Sequence, residues 1–221
     1  MTAAKTLLEL SGADLRPPSL ATSTLIIIDA QNEYLDGKLA LPGAGPALAA
    51  LARLLGRARA AGAPVVHVQH RGRPGGLFDL DARGGAIVDM VRPASGEPVV
   101  HKPLPNAFAQ TELDATLKTL GRQQVVFAGF MTHMCVSSTA RAALDLGYKA
   151  TVAADAAATR DLPDPMGGTI GAEALHRAAL AALADRFAIV AKVDQIPQTQ
   201  TAKPFGRTID TTATAGFASI A

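Results

Sequence analysis

The 221-residue chain has a single cysteine, Cys135. That excludes an intrachain disulfide framework and fits a reducing compartment. Tryptophan is absent and aromatics make up only 4%, so the core must be built from Ala, Val, Leu and Ile. No segment approaches the ~20 consecutive apolar residues that span a membrane. The opening MTAAKTLLELSGADLRPPSL lacks the long apolar core of a signal peptide. A cytoplasmic location is therefore expected. Net charge is only +2, and the basic residues are scattered. Neither a nucleic-acid nor a membrane partner is expected. There is no internal repeat. At 48% hydrophobic, the chain can bury a sizeable core.

What is present alternates. TLIIID (24–29) is a continuously apolar, β-branched run, as in a strand covered on both faces. PALAALARLLGRARAAG (46–62) carries leucines at 48, 51, 54 and 55 and ends on Gly62, which predicts a helix. APVVHVQH (63–70) and EPVVHK (97–102) read as strands two and three. TELDATLKTLG (111–121) opens on Thr and closes on Gly, like a capped helix. QVVFAG (124–129) is strand four, 136–147 a helix, YKATVAAD (148–155) strand five, 171–186 a helix and FAIVAK (187–192) strand six. Composition does not break between the halves. The pattern predicts one α/β domain, a three-layer α/β/α sandwich on a parallel sheet. Two segments fall outside it. RGRPGGLFDLDARGGA (71–86) is a Gly-rich loop long enough to serve as a substrate lid. QTQTAKPFGRTIDTTATAGFASIA (198–221) is a polar, Thr-rich tail that does not fold by its own composition. A neighbouring subunit is the expected support for it.

In open α/β sheets, ligands bind at the carboxyl ends of the strands, where strand order reverses. Asp29 and Lys102 each end a strand, and Cys135 lies six residues beyond strand four, where a helix begins. With order 3-2-1-4-5-6 the three would meet. A helix N-terminus and a lysine favour thiolate, a carboxylate can accept the thiol proton, and amides of the turn can hold an oxyanion. Taken singly, each residue has an ordinary structural reading: Cys135 as packing, Asp29 as a turn former, Lys102 as a solvated side chain.

IIIDAQNEYL (26–35), HKPLPNAF (101–108) and GFMTHMCVSSTARAALDLGY (129–148) resemble the isochorismatase-like cysteine hydrolases. ADAAATRD (154–161) and HRAALAALADRFAIV (176–190) extend the likeness, which covers roughly residues 20–193. The resemblance implies the six-stranded 3-2-1-4-5-6 sheet, a hydrolase domain over residues 1–197, and a homo-oligomer. It also implies a catalytic set of Asp29, Lys102 and Cys135. A cis peptide between Phe130 and Met131 would aim the Met131 amide, with that of Cys135, at a substrate oxygen. The implied reaction is attack on a C–N bond of a small amide, carbamoyl or ureido compound through a thioester.

Nicotinamidases of this family carry a metal site with an Asp-x-His pattern. Here strand two reads HVQHRGRP, with no Asp-x-His nearby, so no metal or other cofactor is expected. His67 reads as a core histidine, and His70, at a strand end, is a candidate for the pocket lining. Gln31 and Asn106 either orient the reacting groups or close turns. Tyr34, Phe108 and Phe130 either wall a pocket or pack the core. His133 precedes the nucleophile and contacts either substrate or solvent. Asp155 is expected to cap a loop. The rival readings are a metal-dependent nicotinamidase-like amidase and a non-catalytic small-molecule binder on the same scaffold.

Overall fold

In the computed structural model, which describes residues 3–199, the first strand shows how the sequence sets the layers. Strand β1 (Ser23–Ile28) is buried along its whole length. Successive side chains point to opposite faces. Leu25 and Ile27 pack with Leu48, Leu51, Leu54 and Leu55 of helix α2 (Ala44–Ala60). Ile26 and Ile28 join the opposite layer, with Leu117 of α3 (Leu113–Leu120), Ala140 of α4 (Ser137–Asp145) and Leu183 of α5 (Ala172–Arg186). A strand with helices on both faces has no wet side, so its polar/apolar alternation disappears.

Five more strands complete the sheet: β2 (Val65–His70), β3 (Val99–Lys102), β4 (Gln124–Phe130), β5 (Lys149–Ala158) and β6 (Ala188–Ala191). They pair in parallel in the order 3-2-1-4-5-6, as expected. Order reverses between β1 and β4, where Ile28 stands opposite Gly129. Gly129 has φ +117, and a Cβ there would lie 1.9 Å from the Ile28 carbonyl oxygen. Only glycine lets the two central strands close at this point.

The differences from the sequence reading are local. Helix α2 begins two residues earlier than predicted, with Pro46 in its first turn, where a missing N–H costs nothing. Helix α3 is shorter than 111–121. Thr111 sits before it, donating to the Ala107 carbonyl at 2.6 Å and accepting from the Leu113 amide at 3.2 Å. Gly121 ends α3 in the left-handed conformation. Strand β5 runs past Asp155 to Ala158, because a bulge in it absorbs residues 153–156 opposite the single β4 residue Ala128. Asp155 accepts a 2.7 Å hydrogen bond from the Val193 amide, which closes the turn after β6. A short helix α1 (Leu7–Leu10) and a ribbon pairing Leu162–Pro163 with Thr169–Ile170 were not anticipated.

The Gly-rich segment 71–86 folds back over the carboxyl end of the sheet. Gln31 fastens it through a bridge to Ile87. Among the described residues no helix is long and apolar enough to cross a membrane. From residue 200 onward the tail lies outside the described residues.

Candidate active site

Four strands deliver side chains to one carboxyl edge. Asp29 follows β1 directly, with φ +50, a left-handed conformation uncommon for a residue with a Cβ. Its amide donates to the Val68 carbonyl at 2.8 Å and its carbonyl accepts from the Gln31 amide at 2.8 Å. Lys102 is the last residue of β3, in register with His70, the last of β2. Cys135 follows β4 in an irregular turn. The Phe130–Met131 peptide is cis, as the resemblance implied. Thr132–Val136 then form a single π-helical turn, with the Val136 amide donating to the Met131 carbonyl at 3.2 Å. The cysteine therefore precedes α4 by this wider turn instead of opening the helix itself.

Lys102 Nζ lies 2.7 Å from Asp29 Oδ2 and 3.3 Å from Cys135 Sγ. It also donates to the Leu104 carbonyl at 3.1 Å and stands 3.3 Å from His70 Nδ1. Asp29 and Lys102 are fully buried and Cys135 is 4% exposed. A buried cation faces a buried anion and a neutral thiol, so the cluster carries no net charge. Lysine so deep in a fold needs such partners.

The electrostatics correct one expectation. Placement near a helix start was expected to favour thiolate. Instead burial, reinforced by the Asp29 charge, pushes the Cys135 thiol up to about 12, with Lys102 pulling the other way. A helix terminus supplies at most about 2 kcal/mol, whereas full burial moves a group by up to about 3–5 pH units, so burial wins. Burial also raises the Asp29 carboxyl, and Lys102 opposes it. Loss of a proton to solvent would leave the cluster with an uncompensated negative charge. Transfer of the thiol proton to Asp29 keeps it neutral. Thiolate is therefore accessible by proton transfer inside the site, not by ionisation into water.

The remaining predicted residues divide. Tyr34 and Phe130 do meet, ring centroids 5.7 Å apart, and Phe78 from the Gly-rich segment joins them at 5.0 Å from Tyr34. His70 packs edge-on against Phe78 at 5.2 Å. Burial and Lys102 push His70 down to about 4, so at neutral pH its ring is uncharged. A cavity of about 650 Å³ opens here, lined by His70, Phe78, Leu77, Lys38 and Arg73. His133 is half-buried and hydrogen-bonds Thr159, just beyond β5.

Phe108 lies elsewhere: it stacks on Tyr148 at 5.8 Å, in the layer of α3 and α4, not beside Tyr34 and Phe130. The chain after Lys102 descends along the flank of the sheet and carries Phe108 with it. Asn106 closes a turn by accepting from the Phe108 amide at 2.9 Å. The Gln31 amide is spent on backbone. It donates to the His70 carbonyl at 2.9 Å and the Gly85 carbonyl at 2.7 Å, and accepts from the His70 amide at 2.9 Å. It ties β2 to the loop and has no donor left for a ligand. His67 is buried against Glu97 at 2.9 Å, and Glu97 in turn meets Arg59 at 2.8 Å. Among the described residues, no three His, Cys, Asp or Glu side chains converge as a metal site would require.

These features place the site in a known group. A family model described as the isochorismatase domain matches residues 23–195. The chain belongs to the isochorismatase family. A crystal structure of an isochorismatase from Pseudomonas putida is similar at TM-score 0.84 and 44% identity, covering 88% of this chain and 100% of that one. A secreted isochorismatase effector of Verticillium dahliae is 41% identical over 77% of this chain and 90% of its own length. A ureidoacrylate amidohydrolase of Methylobacterium radiotolerans is 34% identical, covering 78% of this chain and 77% of that protein.

Sequence reasoning passed over Phe78, Thr132, Thr159 and His176. Thr132 Oγ1 stands 2.8 Å from His176 Nδ1 of α5. Ending β5 at Asp155 hid Thr159, which follows the true strand end as Asp29 follows β1. Phe78 was the one aromatic in an otherwise polar, Gly-rich loop, a signal that it has somewhere to be buried.

Proposed function

We propose that this isochorismatase-family chain is a metal-independent cysteine hydrolase of small amide, carbamoyl or ureido compounds. The chain is an enzyme of the amidohydrolase type, acting on non-peptide C–N bonds. One observation carries the mechanism: Lys102 Nζ bridges Asp29 Oδ2 and Cys135 Sγ at 2.7 and 3.3 Å inside a buried cluster.

Asp29 takes the proton of Cys135, and the thiolate attacks the substrate carbonyl carbon. The amides of Met131 and Cys135 receive the oxyanion. As the tetrahedral intermediate collapses, the C–N bond breaks and protonated Asp29 returns the proton to the leaving nitrogen. The thioester remains on Cys135. Water enters, Asp29 takes its proton, and the acid departs as the sulfur is reprotonated. Lys102 stays charged throughout and balances whichever of its two neighbours is anionic. Tyr34, Phe78 and Phe130 form the apolar wall beside the reacting carbonyl, with His133 at its edge.

No step needs a metal, and the donor set supports that reading. His67 is committed to Glu97, and His70 turns its Nδ1 to Lys102. A homo-oligomer and a cytoplasmic location, the latter fitting a chain with a single cysteine, complete the proposal.

The test is Cys135→Ala. Ammonia release from a panel of small amides and ureido acids should vanish, while the thermal unfolding midpoint stays within a few degrees of wild type. Full activity in that variant refutes the mechanism. Activity lost on dialysis against chelator and restored by metal refutes metal independence.

A further inference from the structure

The turn that carries the nucleophile is short and irregular; Cys135 and Val136 at its end pack into an apolar layer, while its first residue is polar. Thr132, fully buried, is its first residue, directly after Met131. Its hydroxyl has one side-chain partner, Nδ1 of His176 at 2.8 Å. His176 lies on α5, whose only fully buried side chain is Leu183, near the far end of the helix. The histidine end of α5 thus meets the turn through a polar contact. The His176 ring also interacts with the Ala154 backbone of β5, and burial lowers its proton affinity. One imidazole therefore spans three elements: α5, the bulged strand β5 and the nucleophile turn. The mechanism above leaves it without a role.

We infer that His176 is a positioning residue, a strut that fixes Thr132 and thereby holds the Met131 amide and Cys135 in register with Asp29 and Lys102. The inference rests on the hydrolase reading. Nδ1 and Oγ1 share one proton in either imidazole tautomer, so the strut needs only a polar atom at the Nδ1 position. Asparagine places one there. Glutamine instead places its amide where Nε2 stands and leaves that position to carbon. Loss of the strut lets the turn shift, and a displacement of about 1 Å in a reacting group costs on the order of 100-fold in rate.

The experiment uses the single thiol of the chain. Alkylation of Cys135 by iodoacetamide reads its setting without a substrate, and turnover of a ureido acid is measured alongside. His176→Ala, His176→Gln and Thr132→Val should each slow alkylation at least about tenfold and lower kcat, with KM nearly unchanged. His176→Asn and Thr132→Ser should stay within about threefold of wild type, which separates the strut from mere helix packing. The double variant His176→Ala/Thr132→Val should be no slower than either single one, because both remove the same contact. The inference is overturned if His176→Asn is as slow as His176→Ala, if the two losses multiply, or if only KM moves. Should a variant fail to fold, Thr132→Ser against Thr132→Val still decides, since equal rates in that pair overturn it. Activity surviving Cys135→Ala sinks the hydrolase reading instead, a distinct result.

Discussion

Replacing Lys102 with Met keeps most of the buried stem and removes the charge. Asp29, 2.7 Å away and fully buried, then loses its counter-ion. Breaking a buried pair from one side costs about 3–5 kcal/mol. The carboxyl, already raised by burial, rises further and keeps its proton in the folded protein. An unfolded Asp releases that proton near pH ~3.9. Above that pH the native state binds more protons than the unfolded one, so stability falls as pH increases. The slope is up to about 1.4 kcal/mol per pH unit until the folded carboxyl titrates. Between pH 5 and pH 7 the variant should lose about 2.7 kcal/mol. Asp29→Asn/Lys102→Met has no buried carboxyl left to titrate, and should lose this slope and regain most of the stability. Urea unfolding of both variants and the wild type at pH 5, 6 and 7 measures it. The reasoning fails if Lys102→Met is as stable as wild type at pH 7, or if its pH slope matches that of the double variant.

Alkylation of Cys135 by a neutral reagent should be nearly independent of pH from about 6 to 9, because Asp29 accepts the proton internally. In Asp29→Asn the rate should drop and then climb with pH, following a thiol that burial still holds above its ordinary value; a plateau already reached near pH 7 would contradict this. Gln31→Ala strands the amide and carbonyl of His70 and leaves the carbonyl of Gly85 to Gln69 alone, and should cost about 2–4 kcal/mol in denaturant unfolding. Gln31→Glu should be worse, since a carboxylate would face two carbonyl oxygens; the opposite ranking would refute the hydrogen-bond assignment. Gly129→Ala puts a Cβ 1.9 Å from the Ile28 oxygen at φ +117. It should cost about 3 kcal/mol or more, read as a failure to express in soluble form or a steep fall in Tm.

The strands were legible because a parallel strand buried on both faces leaves a plain signature, and their order came from the resemblance of the motifs to a known family. IIIDA and VVFAG carry that signature, and each is followed by a helical stripe. The three side chains that converge at the carboxyl edge were legible because the chain positions at strand ends are marked in sequence and the motifs around them are specific. Residue identity alone does not set a proton's affinity. The sequence suggested a thiol poised as thiolate, whereas depth of burial decided for a neutral one paired with Asp29. The same limit applies to Phe108 and Gln31. Both stand within six residues of Asp29 or Lys102 along the chain. One was carried down the flank of the sheet to Tyr148, and the other was spent on the backbone of β2 and the Gly-rich loop.

Contacts between elements far apart in sequence were out of reach for a related reason. Thr132 and His176 are 44 residues apart, and only packing α5 beside the end of β4 brings them within a hydrogen bond. By itself the sequence determined the period of each element and where the strands and helices lie along the chain, since these follow from local sterics and apolar patterning. Tertiary structure alone decided which of those residues touch, how dry the site is and so where its protons reside, because distance and dielectric are properties of the folded assembly.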